Sequence, residues 1–213
     1  AAARYVVMVT KHMDGFLMWP SATPNYAHRD YHMDRDVVGE LTDAVRARGM
    51  RMGMYYSSAL DQSLTTSAME DLTGLLSEGG PIDKRYAAYQ MAHWRELIDR
   101  YAPSVLWGDI AYPPHTNVFE LFAHYYNRVP DGVVNDRWAT MPMLAHRVLR
   151  TRPGRALLNA NASRLLRAAS SGKAPAAHAD FRTPEFAVMP AIRADKWETC
   201  RGMGHGFGYN REE

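Results

Sequence analysis

A carboxylate placed at the end of an apolar strand is the first feature of this sequence that could do chemistry. Asp109 closes the run Val105-Leu106-Trp107-Gly108-Asp109. A side chain delivered there is rigidly held and partly desolvated, which suits a nucleophile or a general base. An Asp at that position can equally serve as a cap on the following turn. The second candidate is Glu185, in Thr183-Pro184-Glu185-Phe186, whose apolar flanks are the setting a general acid needs. A solvated loop Glu fits the same pattern, and spacing alone does not pair the two carboxylates. Weaker signals add little. His12 and Asp14 are too few for a metal site. The single Cys200 excludes a disulfide framework or a cysteine-based zinc site and reads as a small core residue. Gly202, Gly204, Gly206 and Gly208 match neither the dinucleotide fingerprint nor the phosphate-binding loop.

The elements that must position these residues alternate along the chain. Near-continuous apolar, β-type segments fall at 4–10, 51–57, 104–109 and 132–137, with a weaker one at 196–200. Such runs suit parallel strands covered on both faces. Helical stripes lie between them. Val37, Val38, Leu41 and Val45 form one, with Gly49 as its expected C-cap; Trp94, Leu97, Ile98 and Tyr101 form another, closed by Pro103. Val118, Leu121, Phe122 and Tyr125 form a third, with Thr116 as its expected N-cap. Strand and helix in repetition predict an α/β fold with a parallel sheet. Each of the first four strands turns polar or aromatic at its C-terminal end: Lys11-His12, Tyr55-Tyr56-Ser57, Trp107 with Asp109, and Asn135-Asp136-Arg137. In (β/α)8 barrels the active site is assembled from these ends.

Composition bounds the function classes. The chain has 213 residues, 46% hydrophobic and 23% charged, the balance of an ordinary globular domain. No apolar run approaches the roughly 18 residues of a membrane span, and a net charge of +2 does not single out nucleic acid as partner. Ala1-Ala2-Ala3-Arg4 leads straight into a short β-branched run without an initiator Met, so the chain is expected to begin inside a longer gene product. Between Trp138 and Ala179 there is no acidic residue, yet Arg147, Arg150, Arg152, Arg155, Arg164, Arg167 and Lys173 are basic. This stretch, about 139–179, is expected to be a surface insertion, helical in part and disordered in part. An anionic-ligand or nucleic-acid patch is the alternative, and the lack of aromatics between Trp138 and Phe181 removes the stacking platforms of single-strand binders.

Taken in order, several segments resemble the catalytic domain of the α-L-fucosidases, glycoside hydrolase family 29. They are the run from Tyr5 through Thr10-Lys11-His12-Met13-Asp14-Gly15-Phe16, Arg35-Asp36-Val37-Val38-Gly39-Glu40-Leu41, Gly53-Met54-Tyr55-Tyr56-Ser57 and Val105-Leu106-Trp107-Gly108-Asp109. Val133-Val134-Asn135-Asp136-Arg137-Trp138, Lys196-Trp197-Glu198-Thr199-Cys200-Arg201-Gly202 and Phe207-Gly208-Tyr209-Asn210-Arg211 complete the set. The resemblance implies a (β/α)8 barrel, incomplete in this chain, in one domain over 1–213. It implies a retaining hydrolase of terminal α-L-fucosyl residues, with Asp109 as nucleophile and Glu185 as acid/base, their carboxyl groups about 5–5.5 Å apart. Tyr55, Trp107, Phe186 and Phe207 resemble the apolar slot for the sugar's C6 methyl. His12 resembles a contact to a sugar hydroxyl, and Arg137 a cation beside the sugar and the acid/base. No cofactor or metal is implied. The partner is a fucosylated glycan or glycoside, with no nucleic acid and no membrane. The pattern departs at Met13, where the family usually carries a second histidine and a thioether donates no hydrogen bond. Two other readings accompany this one: a related retaining glycosidase acting on a different sugar, and an inactive carbohydrate-binding remnant.

Overall fold

The computed structural model describes residues 3–65, 74–75, 78–171, 178–187, 191–192, 194–202, 204 and 211. Four strands form one parallel sheet in sequence order: β1 (Tyr5–Lys11), β2 (Arg51–Ser57), β3 (Val105–Asp109) and β4 (Val133–Val134). Helices α1 (Val37–Arg46), α2 (Lys84–Tyr101) and α3 (Val118–Arg128) connect them. Each helix starts where the sequence supplies an oxygen for its first free amides. Asp36 accepts from Gly39 N at 2.9 Å, Asp83 from Tyr86 N at 2.9 Å, and Asn117 from Phe119 N at 3.1 Å. Asn117, not Thr116, therefore caps α3, because its side chain reaches the amide two residues on, while the Thr116 hydroxyl turns back to Pro113 O. Helix α1 ends at Arg46, and Gly49 takes up a left-handed φ of 72° in the turn that follows. Helix α2 ends on Ala102, itself left-handed, with Pro103 next.

The helices cover one face of the sheet. Met54, Tyr56, Leu106 and Val134 meet Trp94, Leu97, Ile98, Leu121, Phe122 and Tyr125 there in a fully desolvated core. Gly108 must be small, since a Cβ would come within 2.7 Å of the Trp138 ring packed over it. Strand periodicity then sends Tyr55, Trp107 and Asp109 to the opposite face. On β1 the register slips between Val9 and Lys11, so that Val9 pairs with Tyr55 and Lys11 with Tyr56. One extra residue thus turns the Lys11 side chain into the core, where its ammonium meets Asp61 at 3.2 Å and the carbonyls of Ser57 and Leu60 at 3.0 Å. The same slip re-aims His12 onto the face that carries Tyr55.

Of two further expected strands, one comes out shorter and the other is not a strand of the sheet. The segment at 132–137 is a strand only at Val133–Val134, after which Asn135 turns its side chain back to bond both the amide and the carbonyl of Gly108. The segment at 196–200 is not a strand of the sheet; it pairs in parallel with 182–185 through isolated bridges, Arg182 to Trp197 and Glu185 to Cys200. The expected insertion at about 139–179 contains helices α4 (Met143–Leu149), α5 (Arg152–Ala160) and α6 (Ala162–Ser170), and residues 172–177 lie outside the described ones.

Candidate active site

The C-terminal ends of the four strands bring one side chain each to a common line. His12, just past β1, stacks on Tyr55 of β2 with ring centroids 5.5 Å apart and planes 2° off parallel. Tyr55 stacks on Trp107 of β3 at 5.3 Å. The Arg137 guanidinium, past β4, lies 4.8 Å over the Trp107 ring. In-register pairing of Tyr55 with Trp107 sets the spacing of the two middle members.

Asp109 emerges beside this row. Its Oδ2 accepts from the Tyr55 hydroxyl at 2.6 Å and its Oδ1 from Arg137 Nη1 at 3.1 Å. The same Nη1 donates to Glu185 Oε1 at 2.5 Å, so one nitrogen holds both carboxylates. Arg137 is fixed from behind: Nε donates to Thr183 Oγ1 and Nη2 to Thr183 O, each at 2.8 Å. Thr183 is in turn held by Asp136 Oδ1, which accepts from both its amide and its hydroxyl. The three charged side chains remain partly open to solvent, at 20% for Arg137, 15% for Asp109 and 27% for Glu185. Burial would weaken the Arg137 cation, but the Asp109 and Glu185 charges outweigh it and push its pKa above the ordinary arginine value. Burial, reinforced by the Asp109 charge, likewise raises the Tyr55 phenol well above its usual value and keeps it a donor.

A third carboxylate stands behind the platform. Glu198 Oε1 accepts from Trp107 Nε1 at 3.1 Å, and Oε2 accepts from the Tyr5 hydroxyl. Cys200 Sγ lies 3.8 Å from Glu198 Oε1, and its thiol is pushed up to about 12 by burial and by the carboxylates around it, so it is no thiolate nucleophile.

Of the residues marked in the sequence, Asp109, Glu185, Arg137, Tyr55, Trp107 and His12 gather in one site. Phe186 follows Glu185 directly and is 48% exposed. Phe207 lies outside the described residues. Thr183, Asp136 and Glu198 were given no role by the sequence. Thr183 and Glu198 sit in the same short segments as Glu185 and Cys200, and the bridge between those segments is what reveals them. Among the described residues no group of three or more His, Cys, Asp or Glu side chains is arranged for a metal ion, and no helix is long and apolar enough to cross a membrane.

The sequence profile described as alpha-L-fucosidase matches residues 1–213. Tissue alpha-L-fucosidase of Rattus norvegicus is 35% identical over 145 residues, 65% of this chain and 30% of that protein. A putative alpha-L-fucosidase of Caenorhabditis elegans is 31% identical over 155 residues, 68% of this chain and 30% of its own length. Among solved structures, the Thermotoga maritima alpha-fucosidase in complex with a mechanism-based inhibitor superposes with a TM-score of 0.73 at 35% identity, covering 99% of this chain and 40% of that one. The four-stranded unit is accordingly part of a (β/α)8-type barrel. The chain spans about a third of the length of the curated relatives it matches.

Proposed function

The chain belongs to the α-L-fucosidase family, and on that premise we propose that it carries the catalytic pair of a retaining α-L-fucosidase. Asp109 attacks the anomeric carbon of a terminal α-L-fucosyl residue. The glycosidic bond breaks, and its oxygen takes the proton of Glu185 as it leaves. Glu185 then removes a proton from water, which attacks the same carbon and releases Asp109, so the configuration is retained. Arg137 compensates the charge on either carboxylate as it forms or disappears, and the Tyr55 phenol steadies the one that attacks.

The observation that carries this reading is the shared nitrogen. Two oxygens bonded to one Nη1 at 3.1 and 2.5 Å are closer together than the about 6.5–9.5 Å that leaves room for a water between the carboxylates of inverting enzymes. The row from His12 through Tyr55 and Trp107 supplies the rest of the pocket. Trp107 and Tyr55, with Phe186 beside Glu185, line the apolar slot for a C6 methyl, and His12 contacts a sugar hydroxyl; Phe207, assigned to the same slot by the resemblance, lies outside the described residues.

Hydrolysis of an aryl α-L-fucoside by the parent chain, Asp109→Asn and Glu185→Gln tests the assignment. The expected result is turnover by the parent, with the fucose released first as the α-anomer. Asp109→Asn should abolish turnover, and Glu185→Gln should keep the first step on substrates with an acidic leaving group, seen as a burst of released aglycone, while the second, base-dependent step slows. A folded parent, judged by circular dichroism, that releases no fucose overturns it. Met13 in place of a second histidine favours one other reading, a retaining glycosidase of altered sugar preference; faster turnover of another aryl glycoside than of the fucoside would select it.

A further inference from the structure

Helices α4–α6 are inserted between two parts of the site itself. The excursion leaves just after Arg137 and returns just before Glu185. Its departing strand is pinned where Tyr112 N donates to Ala139 O at 2.8 Å and Tyr112 bridges Thr140, three residues beyond Asp109. Its return is pinned on β4, where Asp180 N donates to Val134 O at 2.9 Å and Val134 N to Asp180 Oδ2 at 2.8 Å. Helix α4 then lies against the loop that follows Asp109. His146 is buried there and shares a small cavity of about 40 Å³ with Ile110, Tyr112 and Met141.

The outward side of this excursion carries cations between exposed apolar side chains, Leu144, Val148, Leu157 and Leu165. Arg147, Arg150, Arg152, Arg164 and Arg167 are exposed, while Arg155 meets Glu78 at 3.0 Å. No Asp or Glu occurs anywhere between Trp138 and Ala179 to offset them. At physiological ionic strength a charge of this kind acts over a Debye length of about 8 Å, and a like-signed surface raises the local concentration of counter-charged ligands. The excursion returns to the site at Asp180, five residues before Glu185, the residue that protonates the leaving group in the fucosidase reading.

We propose that α4–α6 form a cationic extension of the site that favours fucosylated glycans bearing sulfate or carboxylate groups on the sugars beyond the fucose. The proposal rests on the fucosidase reading and specifies its substrate class. Arginines suit this task because the planar guanidinium pairs with both groups in two-pronged fashion.

The test compares four substrates: an aryl α-L-fucoside, a neutral fucosylated oligosaccharide, the same oligosaccharide sulfated, and the same oligosaccharide carrying a sialic acid. The parent chain is set beside an Arg147→Gln/Arg150→Gln/Arg152→Gln variant at 0.05 M and 0.5 M NaCl. The expected result is a preference of about tenfold in kcat/KM for one or both anionic oligosaccharides at low salt. That preference should vanish at high salt and in the variant, with aryl fucoside hydrolysis unchanged. The two anionic arms separate sulfate from carboxylate recognition. Equal rates on neutral and anionic substrates overturn the proposal, as does a preference that survives salt or the substitutions. If the chain proves silent on the aryl fucoside, calorimetric binding of the neutral and anionic oligosaccharides reads the same preference without turnover; equal affinities then overturn the proposal independently of the catalytic reading. Tighter binding of a single-stranded oligonucleotide than of the anionic glycans at 0.15 M salt overturns it in favour of nucleic acid.

Discussion

The Tyr55 hydroxyl donates to Asp109 Oδ2 at 2.6 Å from the neighbouring strand, reaching forward two residues from its own register partner Trp107. A hydrogen bond to an ionised group contributes about 1.5–3 kcal/mol. Tyr55→Phe keeps the stacking and removes only this donor. Its expected effect is a fall in kcat/KM of about 10–100-fold on an aryl fucoside, with the circular dichroism spectrum unchanged. A smaller effect than about threefold would show that Arg137 alone steadies Asp109.

Arg137 engages four acceptors with three nitrogens, an arrangement no single ammonium can copy. Arg137→Lys should therefore fail to rescue. We expect kcat/KM to drop by about a hundredfold or more in both Arg137→Lys and Arg137→Met. If Lys restores most of the activity, a point charge is sufficient and the fork geometry is dispensable.

Glu198 acts on the site through Trp107. Glu198→Gln keeps an acceptor for the indole N–H, whereas Glu198→Leu strands it, and leaving a buried donor unsatisfied costs about 1–3 kcal/mol. The expected order in kcat/KM is parent, then Gln within about threefold, then Leu lower by about tenfold or more. In a Trp107→Phe background, where there is no indole N–H to hold, the Leu substitution should cost little further. Equal losses in Gln and Leu would mean that the negative charge matters and not the hydrogen bond.

Stability should carry an acid-side signature from His93. Its Nε2 bonds the Thr23 carbonyl at 2.7 Å and so carries the proton, which leaves Nδ1 to accept from the Tyr56 hydroxyl at 2.8 Å. Burial holds this neutral ring down to a pKa of about 4. As pH falls from about 6.5 toward 4, the unfolded chain takes up a proton that the folded chain refuses. The folded state should therefore lose up to about 3 kcal/mol across that window. Urea midpoints at pH 7 and pH 4.5 should differ more in the parent than in His93→Gln. A parent midpoint unchanged between those two pH values would contradict the buried neutral ring.

Much of the scaffold was legible because strand and helix periods are written residue by residue. The apolar runs at Tyr5, Arg51 and Val105 became strands with bounds shifted by a residue at most. The stripe ending at Tyr101 became α2, although its start at Lys84 was set by the Asp83 cap and not by any apolar residue. What local pattern could not convey was anything that depends on a partner distant in sequence. The slip on β1 is one such case. Read with strict alternation, His12 falls on the helix-covered face, and only the pairing with β2 turns it to Tyr55. The short β4 is another, ended by the bond of Asn135 to Gly108 rather than by a breaker in its own sequence. For the site, Asp109 announced itself by standing at the end of an apolar strand. Glu185 needed Arg137, 48 residues away, to distinguish it from a solvated loop side chain. Glu198 needed the edge of Trp107, 91 residues distant.

The two pins at the ends of the α4–α6 excursion have a consequence for how this site can diversify. Tyr112 holds the outgoing chain and β4 holds the returning one, so Arg137 and Glu185 keep their mutual placement whatever lies between. The entropy of closing a longer loop grows only slowly with length, by about 0.6 kcal/mol per doubling. The stretch between the pins is therefore a replaceable cassette: exchanging it rewrites the surface beside the site, while Asp109, Arg137 and Glu185 stay where the sheet and Thr183 hold them.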